Sequence, residues 1–420
     1  MKKIVALAVG TALVGGGLAG CWYTGNRFDT LMAQQIAKVQ RETGLGLQWL
    51  PTNSNLFTRD GVLQLSIAPQ DIAAVDSSLQ RDQPLDVQLT VTGRILPLHI
   101  KNKVLLDTQQ GSLAPVFTAL GMTQWQLGVE SVTSFWTQGN SSRFWAQAFK
   151  VKQGQDEFNF LPLSGEFRGD LAGRGHVTLS WQGMTMHQAQ SNMDLVLADM
   201  KGSADIAELS GVMLSPQSEM TLAALTLQLP DSVKLSLQGM TTTTQLTGDN
   251  AQTLSSSYQM KIAKLNLENE SDALAVSDSK LALNLHGLDL EGYQALQAAS
   301  GQGIDDPALQ LALDKMLGRG ASLELADLSA KLNGEAIVLQ GGLTLAPTSL
   351  EQLFNSAAGM QAVSGVLHAS LSDKLGKAVA QLAPMLEQLT LMGYLQADQQ
   401  QLISELKLEQ GVVTVNNVPL

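Results

Sequence analysis

Apolar and polar residues alternate with a period of two over most of this chain, which predicts strands with one aliphatic and one polar face. Val62-Leu63-Gln64-Leu65-Ser66-Ile67 and Leu85-Asp86-Val87-Gln88-Leu89-Thr90-Val91 set the pattern. Pro97 to Leu106 continues it, and it returns at Val177 to Trp181, Met193 to Leu197, Leu225 to Leu229, Val233 to Leu237, Ile262 to Leu267 and Leu281 to Leu285. Gln182-Gly183, Gln238-Gly239 and His286-Gly287 close three of these stretches, a loose repeat of strand plus turn without a fixed period. Helical spacing interrupts the strands. Phe28, Leu31, Met32, Ile36 and Val39 form one stripe that Gly44 can end. Ala114 to Leu120 reads as a short helix. Two more are expected between Gly292 and Gly320, the second started by Asp305-Asp306-Pro307. Strands return at Ser322 to Leu332 and Ala336 to Leu345. Helices follow from Thr348 and from Lys374 to Leu389, and strands close the chain between Gly393 and Val415. The fold class expected is α+β: a membrane anchor, then an elongated, mostly antiparallel amphipathic sheet with a few flanking helices. The divisions expected are an anchor over 1–25, a membrane-proximal helix over 26–44, a β-rich body over 45–290 and an α+β region over 291–420.

The anchor rests on the uncharged run from Ile4 to Trp22 behind Lys2 and Lys3. As a helix it is roughly 28 Å long, close to the hydrocarbon thickness of a bilayer. The lysines precede it and only Arg27 follows closely, so the positive-inside bias directs the body outward. Leu18-Ala19-Gly20-Cys21 also has the form of a bacterial lipobox, which makes Cys21 a candidate lipidation site and gives a second route to the same tether. Trp22 and Tyr23 fit an interfacial aromatic belt. The stripe Phe28, Leu31, Met32, Ile36, Val39 is a candidate face for the membrane or a second copy, or for packing on the chain's own first strands.

Charge and composition narrow the partners. Lys+Arg 26 against Asp+Glu 38 gives a net charge of −12, which argues against nucleic acid and against a polybasic lipid-binding patch. Cys21 is the single cysteine, so the body has no disulfide or thiolate site to draw on. G-x-S-x-G, H-E-x-x-H and P-loop motifs are absent. His99, His176, His187, His286 and His368 are scattered, and Asp305-Asp306 reads as helix capping. No catalytic, metal or cofactor-binding residue is assigned. Trp125, Trp136, Trp145 and Trp181 with Phe135, Phe144, Phe149, Phe158 and Phe160 concentrate the large aromatics between 125 and 181, as a partner surface or as the core of a central domain.

Trp22-Tyr23-Thr24-Gly25 directly after an apolar run, and the ending Gly393-Tyr394-Leu395, Ile403-Ser404-Glu405-Leu406 and Gly411-Val412-Val413-Thr414-Val415-Asn416-Asn417-Val418-Pro419-Leu420, resemble the YdgA-like family of uncharacterised Gram-negative envelope proteins. Asn417 stands where that family usually has Gly, and Cys21 replaces a small residue. The resemblance implies inner-membrane attachment with a periplasmic body, and it carries no catalytic residues. The expectation is a membrane-tethered periplasmic protein of non-enzymatic type whose sheet binds lipid chains or a partner strand. Homo-oligomeric scaffolding is the alternative reading. A lipoprotein held through Cys21, in the outer membrane, is the alternative location. An unrecognised hydrolase is the third functional reading, with polar residues near Arg168, Arg174 and His176 as its candidates.

Overall fold

The computed structural model describes residues 2–43, 45–69, 84–230, 233–269, 272–298, 307–355 and 357–419, with side chains from residue 18 onward except at 38, 42–43, 298, 354–355, 357–358 and 360. The chain divides into two compact units, 1–183 and 184–420. The division falls within the strand Gly175–Gln188, inside the stretch expected to be one β-rich body.

Unit 1 begins with one continuous helix, α1 (Lys2–Thr43), where the sequence suggested an anchor and a separate membrane-proximal helix. Gly44, its expected terminator, lies outside the described residues. Among the described residues ten strands follow: β1 (Gly46–Ser54), β2 (Thr58–Ile67), β3 (Leu85–Leu96), β4 (His99–Leu106), β5 (Leu127–Ser134), β6 (Gly139–Ala146), β7 (Phe149–Gln153), β8 (Asp156–Phe160), β9 (Leu163–Asp170) and β10 (Gly175–Gln188). A short helix, α2 (Ala114–Ala119), interrupts them. β1 to β6 form an antiparallel meander, β9 adds beside β6 and β10 beside β9, while β7 and β8 pair as a hairpin. Cross-strand partners share a face, so the pairing aligns Val91, Val104, Val129, Phe144, Gly165 and Leu179 in one row. Gly165 is fitted to that row: a Cβ there would lie 2.1 Å from the Phe144 ring.

The aromatics between 125 and 181 separate into distinct environments. Trp125, Phe149, Phe160 and Trp181 form a continuous string with centroid spacings of 5.3, 5.2 and 5.3 Å, joined by Phe117 and Phe158. The indole N–H groups of Trp125 and Trp181 donate to the carbonyls of Gln147 and Leu161. That part is a half-buried aromatic cluster built around the β7–β8 hairpin. Phe135 instead packs against α1, Trp145 lies under Lys103, and Trp136 is 76% exposed.

Unit 2 holds β11 (Met193–Leu209), β12 (Val212–Leu214), β13 (Ser218–Gln228), β14 (Lys234–Gly248), β15 (Thr253–Glu268), β16 (Ala273–Asp289), β17 (Ala321–Leu332), β18 (Glu335–Leu345), β19 (Val363–Ser372), β20 (Gln396–Asp398), β21 (Gln401–Glu409), β22 (Val412–Val415) and β23 (Val418–Pro419). Its helices are α3 (Leu290–Ala298), α4 (Pro307–Leu317), α5 (Leu350–Asn355), α6 (Ala357–Ala362), α7 (Leu375–Ala378) and α8 (Ala383–Leu391). The sheet is antiparallel in the order β11, β13 to β19, β21, with β20 and β22 sharing the far edge of β21. The helix expected over Lys374 to Leu389 is broken into α7, a 3₁₀ turn at Ala380–Leu382 and α8. Pro384 explains the break, since it offers no N–H and its ring clashes with a carbonyl one turn earlier. Asp305-Asp306 lies outside the described residues.

The Gln-Gly and His-Gly pairs do not end strands. Gly183, Gly239 and Gly287 lie inside β10, β14 and β16 at φ values of +118°, +63° and +80°. Gly239 belongs to a transverse line of irregular residues that crosses five strands. Asp199, Ala223, Gly239, Ala263 and Asp278 fall at successive gaps in the register between β11, β13, β14, β15 and β16. Three of them, Asp199, Gly239 and Asp278, take positive φ. On one side of the line the rows are Leu195, Leu227, Leu235, Leu267, Leu274 and Leu197, Leu225, Leu237, Leu265, Val276; on the other the nearest row is Met200, Leu222, Met240, Ile262, Ser279. Apolar residues thus change from odd to even numbers, or the reverse, as each strand crosses the line. Strict alternation carried through would put the two sets on opposite sides, and the line is where alternation is broken. Lys331 pairs with Asp278 at 2.9 Å, and this hydrogen bond, with the charge behind it, holds the carboxyl below its ordinary value.

A Cβ at position 239 would lie 3.0 Å from that of Ala263, on backbone at positive φ. Gly239→Val is therefore expected to destabilise the chain by about 2 kcal/mol or more, and Gly239→Asn by about 1 kcal/mol or less, because Asn tolerates the left-handed region. The midpoints of urea unfolding compare the two.

Candidate functional site

The middle of unit 2 carries a hollow of about 520 Å³ on β16, β17, β18, β19, β21 and β22. Its lining is Leu283, Leu323, Leu325, Gly341, Gly342, Leu343, Gly365, Val366, Leu367, Leu406, Leu408 and Val413, none of them ionisable. The register explains the shape. One row runs Leu283, Leu325, Gly341, Leu367, Leu406, and the next runs Leu285, Leu323, Leu343, Gly365, Leu408, Val413. Each row has a glycine where a leucine would complete the ridge. Substituents at Gly341 and Gly365 have no room, since Cβ atoms would lie 2.2 Å from the Val366 carbonyl oxygen and 2.4 Å from that of Gly342.

Helices cover the two ends of this aliphatic face and leave its middle open. At one end α7, the 3₁₀ turn and α8 bury Leu375, Val379 and Leu386 with Leu395, against Leu332, Ile337, Leu371 and Leu402. Ile337 lies on the same side of β18 as Gly341 and Leu343, because β18 and β19 pair without a register shift. At the other end Leu254, Leu288 and Leu290 are buried with Val212 and Leu214, and Leu285, Tyr293 of α3 and Met316 of α4 pack on them. Asp289 starts α3 there by accepting the Gly292 N–H at 2.9 Å, and Arg319 pairs with it at 2.6 Å. Between these caps Leu323, Leu343 and Leu406 are exposed. The reverse side of the same strands is polar: His368 faces Glu405, which pairs with Lys407 at 2.5 Å, and that contact holds the Glu405 carboxyl below its ordinary value.

The residues singled out near the N-terminus gather in unit 1. Cys21 is 4% exposed and packs with Phe28, Ile95 and Ile100, joined by Met32, Leu56 and Phe135. Thr24 is buried and donates to the Gly20 carbonyl one turn back. Trp22 and Tyr23 face outward, 65% and 48% exposed. Leu31, Met32, Ile36 and Val39 are half-buried. Phe28 and Met32 of the stripe therefore meet the chain's own β3 and β4, the packing alternative considered above. Arg59 of β2 fixes this docking: its Nε donates to both Asp29 oxygens at 2.9 and 3.1 Å and Nη2 donates at 3.1 Å. Gly25 permits the approach, because a Cβ there would lie 2.7 Å from Arg59 Nη2. Among the residues whose side chains are described, no helix is long and apolar enough to cross a membrane. Residues 4–17, most of the expected anchor, fall outside that set.

The residues named for the hydrolase reading lie close together on the β9–β10 hairpin, where ion pairs and strand pairing engage them. Arg168 pairs with Glu166, and Arg174 pairs with Asp170 at 2.6 Å, which holds that carboxyl below its ordinary value. His176 lies opposite Arg168 on paired strands. His187 meets Asp194, His286 meets Ser255 and His99 meets the Pro97 carbonyl, each in a separate place. Among the described residues no group of three or more His, Cys, Asp or Glu is placed to hold a metal ion. The hollow itself was not singled out from the sequence. Its signal was the Gly341-Gly342 pair and Gly365 inside otherwise strict aliphatic alternation.

The fold and the hollow define a predominantly antiparallel β-sheet protein with a partly uncovered aliphatic face. The chain belongs to the family described as bacterial protein of unknown function (DUF945), whose model matches residues 1–420. Neither a curated protein nor a solved structure matches it.

The Asp29–Arg59 pair gives a direct test of the α1 docking. Asp29→Ala leaves a largely buried guanidinium short of its acceptor and is expected to lower stability by about 1–2 kcal/mol. Removing the exposed Arg94 that pairs with Asp60 is expected to change it by about 0.5 kcal/mol or less. Thermal unfolding of the detergent-solubilised chain reads both.

Proposed function

We propose that this chain is a membrane-tethered, non-enzymatic protein of the bacterial envelope whose unit 2 holds a lipid acyl chain in the hollow between its helical caps. One observation carries the reading: twelve lining residues without an ionisable side chain, on a face whose exposed leucines stand in water unless something covers them. A flexible, unbranched apolar chain matches such a surface, because the lining offers area and no fixed pattern of polar partners. The tether is supported by the uncharged run Ile4 to Trp22 behind two lysines, and periplasmic placement by the same charge asymmetry. The finer likeness to YdgA-like inner-membrane proteins rests on Trp22-Tyr23-Thr24-Gly25 and the ending described above. Uncleaved anchoring fits the burial of Cys21 within a continuous helix that goes on to dock on β3 and β4. An N-terminus at Cys21 would overturn that part alone.

Binding of a fluorescent long-chain fatty acid to the purified chain tests the reading, with mass spectrometry of lipid retained through purification as the companion. Leu343 is exposed, so Leu343→Asp leaves folding intact while placing a carboxylate in the hollow. Affinity is expected to fall by about tenfold or more, equivalent to about 1.4 kcal/mol. Equal affinity in the variant, or no uptake by the unsubstituted chain, would remove the acyl-chain reading. A dimer in light scattering that loses its partner with Leu343→Asp would point instead to a second copy on this face.

A further inference from the structure

We infer that unit 1 makes a second contact with the bilayer, through the β3–β4 and β5–β6 turns, beside the point where α1 leaves the sheet. The inference rests on the membrane-tether reading and adds to it a surface outside the anchor. Leu96, Pro97 and Leu98 form the β3–β4 turn, and Trp136 lies in the β5–β6 turn. The two turns are adjacent, because the Phe135 N–H donates to the Leu98 carbonyl at 2.8 Å. They are also level with the helix exit: a Cβ on Gly20 would lie 3.1 Å from that of Pro97, and Phe135 packs in the same cluster as Cys21. Trp22 and Tyr23 lie only about 3 and 4.5 Å further along the helix axis from Gly20.

This one layer therefore displays Leu18, Trp22, Tyr23, Leu96 and Trp136, all exposed. Trp136 is the most exposed large aromatic among the described residues, in a unit whose other tryptophans between 125 and 181 are packed. Leu98 takes φ +60°, a turn position that favours Gly or Asn, so an aliphatic side chain stands where backbone conformation opposes it. Tryptophan and tyrosine flanked by aliphatic groups suit the boundary between headgroups and acyl chains. The chain itself supplies the bilayer as occupant: the apolar run Ile4 to Val14 lies on the same continuous helix immediately before this layer. Arg94 and Lys101 flank the β3–β4 turn as register partners, Arg94 held by Asp60, so with a net charge of −12 the exposed apolar layer makes the contact chiefly one of burial.

The test places an environment-sensitive fluorophore on single introduced thiols in the full chain, reconstituted in phosphatidylethanolamine–phosphatidylglycerol vesicles containing headgroup-region spin-labelled lipid. Cys21 is buried, and the unsubstituted chain serves as the labelling blank. Trp136→Cys carries the probe at the turn. Gln155→Cys carries it on the β7–β8 turn, whose hairpin starts from the opposite end of β6. The label at 136 is expected to shift to the blue and lose most of its emission to the spin label, while the label at 155 keeps its emission. If the chain floats with the vesicles but 136 and 155 are quenched alike or not at all, the second contact is wrong and the tether stands. If the chain does not float with the vesicles, both fail. Circular dichroism of each labelled chain confirms that the comparison is between folded proteins.

Discussion

An aliphatic sheet face cannot be left in water without cost, and most of this structure can be understood as ways of meeting that constraint. Long antiparallel strands satisfy their backbone groups by pairing, but pairing leaves two faces, and in unit 2 one of them is rich in leucine. The hydrophobic effect assigns about 25 cal/mol to each Å² of apolar surface removed from water, so a multistrand leucine face is a large unmet driving force unless something lies on it. Unit 2 supplies helices at both ends of the strands. Those helices bury Leu254, Leu288 and Leu290 at one end and Leu375, Val379 and Leu386 at the other, and stop short of the middle. What remains is the hollow, whose floor carries Gly341 and Gly365.

Unit 1 meets the same constraint differently. Its cover is α1, whose Cys21 and Phe28 face Ile95 and Ile100 and whose Asp29 is held by Arg59. The helix that carries the apolar run at its start is thus also the element that completes a core. A small residue is needed wherever the helix touches the sheet closely, and Gly20 and Gly25 meet that need against Pro97 and Arg59.

The strands were largely legible, because period-two alternation is a direct projection of the pleat onto the sequence. Their lengths were not. Gln238-Gly239 and His286-Gly287 carry the composition of turns, yet each sits at positive φ within a strand that continues beyond it. The clue was the phase of the leucines: Leu235 and Leu237 are odd, while Met240 and Leu246 are even, as expected of a strand interrupted at one residue. Asp199 and Asp278 gave less warning, since an aspartate in a half-buried strand looks like any polar-face residue. The boundary at 183/184 left no compositional trace, because β10 passes through it. The break before α8 was not read, although Pro384 within the expected helix carries its signal. The hollow was hidden for a deeper reason: it depends on which strand lies beside which, and β21 reaches β19 across α7 and α8, a pairing that alternation alone does not specify.

On the proposed reading, a lipid chain occupies the open middle of the unit 2 face. Photocrosslinking measures this most directly, using a fatty acid with a photoreactive group in mid-chain, fed to cells or added to the reconstituted protein, followed by peptide mapping. The account predicts crosslinks concentrated on Leu323 to Leu325 of β17, Leu343 of β18, Leu367 of β19 and Leu406 to Leu408 of β21. Crosslinks confined to α1 and the turns of unit 1, with none on these strands, would contradict it.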